Sequence, residues 1–267
     1  MRRVEESHGA AGCAIAYASR AVDPAIEPIS LLEAVPGARQ FLWQSSDSGD
    51  AVAAVGEAVA VRASGRDRFQ QVAAVLSTLI GPADDGSEGP VAVGGFAFDD
   101  GHRPEGAWEG FPSAEWSIPR VALVRRGGES RLVIARKVPS GREREDRLIA
   151  SLRSVLDRVA DDLGRRVPGR PRNAFSRPSR FEVDSCGSTE RFRRGVERIL
   201  RSIEGGELEK AVLSRTVSVR ADRPFDPLAL VRRLLRHETG ATALLVRRGS
   251  GAEIGRASCR ERVFGRV

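Results

Sequence analysis

The stretch Ile203-Glu204-Gly205-Gly206-Glu207-Leu208-Glu209-Lys210-Ala211-Val212-Leu213-Ser214-Arg215 joins two kinds of periodicity, and the reading of the chain turns on it. Ahead of it, Phe192, Val196, Ile199, Leu200 and Ile203 recur at helical spacing, with Arg191, Arg193, Arg194, Arg198 and Arg201 between them. That is the pattern of an amphipathic helix. Ser188 or Thr189 is placed to cap its start, and Gly205-Gly206 to supply the positive-φ residues that end it. From Ala211 to Val219 the chain alternates and is rich in β-branched residues, which predicts a strand. Lys210 stands at its entry. Only two lysines, Lys137 and Lys210, occur among the 43 basic residues. A guanidinium stays protonated at any working pH, whereas a desolvated amine can lose its proton and act as a base. On residue chemistry alone, however, a solvated strand end in an arginine-biased chain is the simpler reading.

The wording of the stretch carries more. "IEGGELEKAVLSRTVSV", followed by Asp226-Pro227-Leu228, resembles the opening of the catalytic region of chorismate-utilising enzymes, and specifically of isochorismate synthases. Their pattern is I-x-x-G-x-L-x-K-V-V-L-[AS]-R, then a D-P-x-x-L helix. Upstream, Phe41-Leu42-Trp43, Gly94-Gly95-Phe96-Ala97-Phe98-Asp99, Trp108-Glu109-Gly110-Phe111-Pro112 and Ile118-Pro119-Arg120 resemble the family's N-terminal segments in order. The resemblance covers most of residues 30 to 252, and several ordered matches are more specific than one motif.

The resemblance implies an α+β fold of mixed, largely antiparallel sheets with packed helices. It implies chorismate as substrate, Mg2+ as cofactor and Lys210 as the general base that deprotonates an attacking water. In relatives that add ammonia this place is typically glutamine, so a lysine favours water addition. Salicylate synthases share the lysine and remain an alternative, as does a non-catalytic fragment or interaction module. The substrate-binding residues are not identified, and isochorismate feeds both menaquinone and siderophore synthesis.

After Ala243-Leu244-Leu245-Val246 the family pattern F-x-G-A-S-P-E, whose glutamate is the catalytic acid, is expected. The chain instead reads Glu253-Ile254-Gly255-Arg256-Ala257-Ser258-Cys259-Arg260-Glu261-Arg262-Val263, which matches the in-frame translation of a sequencing adapter beginning GAGATCGGAAGAGC. The expectation is native sequence to about Gly251 or Ala252, a non-native tail over 253–267, and a catalytic acid and Mg2+ ligands lying beyond it. Glu261 lacks the Ser-Pro context and is not promoted to that acid.

The net charge of +7 invites a nucleic-acid partner, but its distribution argues against one. Six arginines and no acid lie in residues 165–180, and four arginines with two glutamates in 253–267, so no folded face need be basic. Cys13, Cys186 and Cys259 are odd in number and scattered, which suits a reducing compartment. Glu5, Glu6 and His8 occupy the place of a signal peptide's apolar region, and Glu57 breaks the best apolar run. A cytoplasmic protein without membrane partner is expected, its oligomeric state open.

In chain order, Phe41–Gln44 and the two halves of 51–63 predict short antiparallel strands, the halves joined near Gly56-Glu57. Phe69, Val72, Ala73, Leu76, Leu79 and Ile80 predict a helix ending at Gly81-Pro82. Val91–Phe98 predicts a strand in which Gly94-Gly95 marks a close backbone approach or a bulge. Beyond a loop holding Trp108 and Trp116, Arg120–Arg126 and Arg131–Val138 predict a hairpin through Gly127-Gly128. A long amphipathic helix then carries Leu148, Ile149, Leu152, Val155, Leu156, Val159 and Leu163. The expected organisation is an N-terminal region over 1–164, a Pro/Arg-rich crossover over 165–180 and the start of a chorismate-binding region over 181–252. In that last region Phe181–Asp184 is extended, Leu228 to His237 helical and Ala243–Val246 a strand.

Overall fold

A computed structural model describes residues 14–35, 37–80, 89–138, 142–165, 178–185, 189–237, 240–249 and 251–257. The three cysteines, Gly81-Pro82, most of the basic crossover and the last ten residues lie outside them. The chain forms two compact units, one of residues 1–172 and 227–267, the other of residues 173–226.

The larger unit is built on a seven-stranded antiparallel sheet. Its strands are β1 (Ala14–Val22), β2 (Arg39–Ser45), β3 (Ala51–Val55), β7 (Val121–Arg126), β8 (Glu129–Val138), β11 (Thr242–Arg248) and β12 (Gly251–Ala257), in the order β1-β8-β7-β3-β2-β11-β12. A three-stranded sheet, order β4-β6-β5, is formed by β4 (Val59–Ala63), β5 (Val93–Phe96) and β6 (Ala114–Ile118). Successive side chains of a strand point to opposite faces, and the two faces of the large sheet have different partners. Leu42, Ala53, Val121, Leu123, Leu132, Ile134 and Leu245 gather on one face with helices α1 (Ile29–Ala34), α3 (Arg142–Gly164) and α5 (Pro227–His237). Ala54, Ala122 and Val124 lie on the other with Val91 and Val93. Ala135 joins Val61, Ala63, Ala114, Ile118 and helix α2 (Arg68–Leu79). Helix α3 contributes Leu152, Leu156, Ala160 and Leu163 at the spacing that its sequence displays.

Two polar devices hold the helices in place. Arg232 of α5 donates from Nε and Nη2 to the two carboxylate oxygens of Glu33 at 2.7 and 3.0 Å, and from Nη1 to Glu27 at 2.8 Å. This paired geometry fixes orientation as well as charge, and it raises the Arg232 pKa above its ordinary value, the Glu33 bond being the main cause. Arg68, buried at the start of α2, donates to the carbonyls of Gly65, Ala97 and Phe98.

The turns follow their glycines. Gly127 and Gly128 both have positive φ, 58° and 87°, as a two-residue hairpin of the primed type requires. At Gly94 a Cβ would run into the Glu115 carbonyl oxygen and the Trp116 Cα, which confirms the close approach expected there.

Four features differ from the sequence reading. The halves of 51–63 do not pair with each other: Gly56, at φ 69°, turns the chain so that β3 joins the large sheet and β4 the small one. Trp116 is not in a loop but in β6, whose short, mixed composition hid its period. Residues 14–22, for which the sequence reading predicts no strand, form β1 and pair along their whole length with β8. Strand β11 pairs with β2 over seven residues, and α5 packs with this sheet, so both belong to the larger unit.

Strand β12 pairs with β11 from Gly251↔Arg248 to Ala257↔Thr242. Such pairing uses backbone N–H and C=O groups, which every non-proline residue carries, so it is indifferent to the origin of the side chains.

The smaller unit contains α4 (Thr189–Glu204) and a two-stranded antiparallel ribbon of β9 (Phe181–Ser185) and β10 (Val217–Ala221). Asp222 closes one end of the ribbon, accepting from the Ser179 hydroxyl at 2.7 Å and the Ser179 backbone N–H at 3.0 Å. Phe181 and Phe225 stack beside it with ring centroids 6.3 Å apart.

Candidate functional site

The predicted helix-to-strand passage is realised at its first half. Helix α4 ends in a Schellman motif. The N–H of Glu207 bonds to the carbonyl of Ser202 at 2.9 Å and that of Gly206 to Ile203 at 3.0 Å, while Gly206 takes φ 73°. An L side chain disfavours that conformation, so glycine at 206 is what releases the chain from the helix. Lys210 follows four residues later.

The second half departs from expectation. Residues 211–216 are not in a strand, which begins only at Val217. A β-strand needs a neighbour to take its N–H and C=O groups, and among the described residues β10 has β9 alone, over 217–221. Residues 211–216 instead return along α4. The Leu213 side chain lies against Gly195, where a Cβ would come within 2.7 Å of its Cδ2. The Arg215 guanidinium stands 5.8 Å from the Phe192 ring centroid.

Lys210 is exposed, as are its neighbours from Glu204 to Val217. The burial that would desolvate an ammonium group is therefore not supplied by the described part of this unit. Helix α4 has no buried residue despite its regular apolar stripe, and Val212 is 85% exposed. The structure thus sets Lys210 on a glycine-defined turn beside an uncovered apolar surface. Among the described residues no three His, Cys, Asp or Glu side chains gather at one point where they could hold a magnesium ion. Nor is any described helix long and apolar enough to cross a membrane.

A second concentration of charge, which the sequence did not announce, lies in the larger unit around Glu115 of β6. That carboxylate is 2% exposed and accepts from Arg39 Nη1 at 2.9 Å and from Arg62 Nε and Nη2 at 3.0 and 2.8 Å. Arg248 of β11 is its third partner. The four side chains come from positions 39, 62, 115 and 248, so no local spacing could have joined them. The cluster forms only through the pairing of β2 with β11 and of β4 with β6, which no pattern in the sequence displays.

Comparison with known proteins fits this architecture. No curated protein sequence matches the chain. Among solved structures, the menaquinone-specific isochorismate synthase MenF of Escherichia coli is 17% identical, with a TM-score of 0.58 over 96% of this chain and 52% of that one. A protein assigned as the 2,3-dihydroxybenzoate-specific isochorismate synthase DhbC of Bacillus anthracis is 19% identical, with a TM-score of 0.50 over 86% of this chain and 46% of that one. At such identities the likeness is one of fold, and the chain spans about half the length of either structure. The family model described as chorismate binding enzyme matches residues 5–257, nearly the whole chain, and the protein belongs to that family.

Proposed function

We propose that this chain is the N-terminal part of an isochorismate synthase, in which chorismate gains a hydroxyl from water at one ring carbon while its own hydroxyl leaves from another. The observation that supports the reading most is Lys210 itself. It is a lysine in an arginine-dominated chain, released from α4 by Gly206 and standing where the family's water-activating residue is expected.

In this mechanism the Lys210 amine takes a proton from the attacking water as the C–O bond forms. An acid outside the described residues returns a proton to the departing oxygen, which leaves as water, so protons balance over the cycle. For Lys210 to act so, its surroundings must be dry, because a hydrated ammonium group is too weak an acid to release its proton near neutrality. The closing surface is assigned to the part of the fold that would cover α4 and residues 211–216. Magnesium, when bound, would screen the substrate carboxylate. Its ligands are assigned outside the described residues. A cytoplasmic location is part of the same reading.

Product analysis of chorismate incubated with magnesium tests the proposal. The 267-residue chain alone is expected to give no product, while an enzyme carrying this chain in a full-length chorismate-binding fold is expected to give isochorismate. Salicylate and pyruvate from the full-length enzyme would replace the proposal with the salicylate synthase reading. Turnover by the 267-residue chain alone would overturn the assignment of the acid to residues outside it.

A further inference from the structure

Glycine is the poorest helix former after proline, yet Gly195 stands in the interior of α4. Unlike Gly206 it has no positive φ that would call for a glycine. What its missing side chain leaves is a notch. A Cβ at 195 would come within 2.7 Å of Leu213 Cδ2 and 3.9 Å of Leu213 Cδ1 and Cγ, so Leu213 occupies the place that an ordinary side chain would take. The notch lies on the half-buried face of α4, with Phe192, Val196 and Ile199. Leu213 is accordingly 38% exposed, against 85% for Val212 beside it.

The contact has a companion. Arg215, two residues beyond Leu213, stands over Phe192, three residues before Gly195. The segment after the turn therefore runs antiparallel to α4 over about one helical turn, and side chains hold it there, since among the described residues strand pairing begins only at Val217. At its other end the N–H groups of Glu207 and Leu208 both bond to the Ser202 carbonyl, at 2.9 and 3.2 Å. Lys210 lies between these two anchors, on the short bridge 209–212. With both ends fixed, so short a bridge has little slack.

We propose that Gly195 and Leu213 are positioning residues for Lys210: the notch in α4 and the side chain that fills it fix the second end of the bridge, and with it the point at which the amine meets the attacking water. The inference rests on the reading of Lys210 as the base. Proton transfer needs hydrogen-bond reach, so a misplacement of about 1 Å can cost about 100-fold in rate. The loss falls on kcat, since neither residue is asked to hold chorismate.

Isochorismate formation by the full-length enzyme carrying this chain tests the inference. The Leu213 tip can rotate away from a single methyl group, so leucine rather than alanine is the substitution that fills the notch. Gly195→Leu, which also raises helix propensity, is expected to lower kcat about 10–100-fold with KM held within a few-fold. The double variant Gly195→Leu/Leu213→Ala exchanges large and small across the contact and is expected to recover most of that loss, as directly coupled neighbours do. Damage confined to α4 would not be reversed by shortening Leu213. Should Gly195→Leu fail to fold, Leu213→Ala alone decides, with a fall in kcat at constant KM expected and an unchanged kcat overturning the proposal. Lys210→Gln in the same assay separates the two claims. If it abolishes turnover while Gly195→Leu leaves kcat unaltered, or the double variant is as slow as Gly195→Leu, the positioning role is overturned and the base stands. If Lys210→Gln turns over normally, the base reading fails and the positioning role falls with it.

Discussion

The larger and smaller units carry the same kind of amphipathic writing and put it to different ends. In the larger unit every helix with an apolar stripe meets a sheet face that wants covering: Leu152, Leu156 and Leu163 of α3 and Val231 of α5 are all buried in one cluster with Leu42, Leu123 and Leu132. In the smaller unit α4 has an equally regular stripe but no fully buried residue, and Phe181, Val183, Val217 and Val219 of the ribbon are exposed. Periodicity states which face of an element must leave water. It does not state that the partner lies within the same described residues. The free energy of the fold therefore resides in the larger unit, and the residue proposed for chemistry stands on the smaller one.

Substitutions sharpen the contrast. Leu123→Ala, at a fully buried site of β7, is expected to cost about 2–5 kcal/mol in chemical denaturation. Val212→Ala, at a site 85% exposed, is expected to stay within about 0.5 kcal/mol. A loss at Val212 comparable to that at Leu123 would break the comparison.

Glu115→Gln comes next. Removing one partner of a fully buried ion pair costs about 3–5 kcal/mol. Because the Arg39 and Arg62 side chains are 36% and 35% exposed, about 2–3 kcal/mol is expected here, read from the denaturant midpoint.

Gly206→Ala forces an L side chain into φ 73° and is expected to cost about 1–2 kcal/mol. Its signature is local, with faster amide exchange at the end of α4 and unchanged protection in β7 and β8. Slower exchange at α4 would contradict the role given to the Schellman turn.

The smallest effect is expected at Asp222. The hydrogen bond from the Ser179 hydroxyl, foremost, holds its carboxyl below the usual aspartate range. A lowered folded pKa contributes stability above the unfolded value and loses it as pH falls through the folded one. Asp222 is fully exposed, so the effect belongs to the ribbon end alone. NMR titration should show the Ser179 amide shifting in acid, and Asp222→Asn should abolish that shift.

Much of the larger unit was legible because its elements are long or punctuated. The 127–128 hairpin, α2, α3 and α5 each combine a clear period with a glycine, proline or polar boundary. Strands β1 and β6 were not, since small residues such as Ala14, Ala16 and Ala18 give weak periodicity and pair only through a distant partner. The exchange of β3 and β4 between sheets at Gly56 was likewise invisible, because a glycine turn permits a hairpin and a crossover alike. Of the candidate site, the helix, its glycine stop and Lys210 were readable in order. The strand over 211–216 was over-read, because its pattern expresses a demand for partners that the described residues do not meet. The Glu115 cluster, drawn from four distant positions, lay beyond any local pattern.

The central claim, that Lys210 is the base of a water addition to chorismate, is tested most directly by isochorismate formation in a full-length enzyme carrying this chain, with Lys210→Gln set against the unaltered protein. Glutamine keeps the length and polarity but cannot take the proton. A fall in kcat of at least about 100-fold, the lower bound of a general base's contribution, with chorismate affinity held within a few-fold, is the predicted result. Turnover within a few-fold of the unaltered enzyme would contradict the assignment.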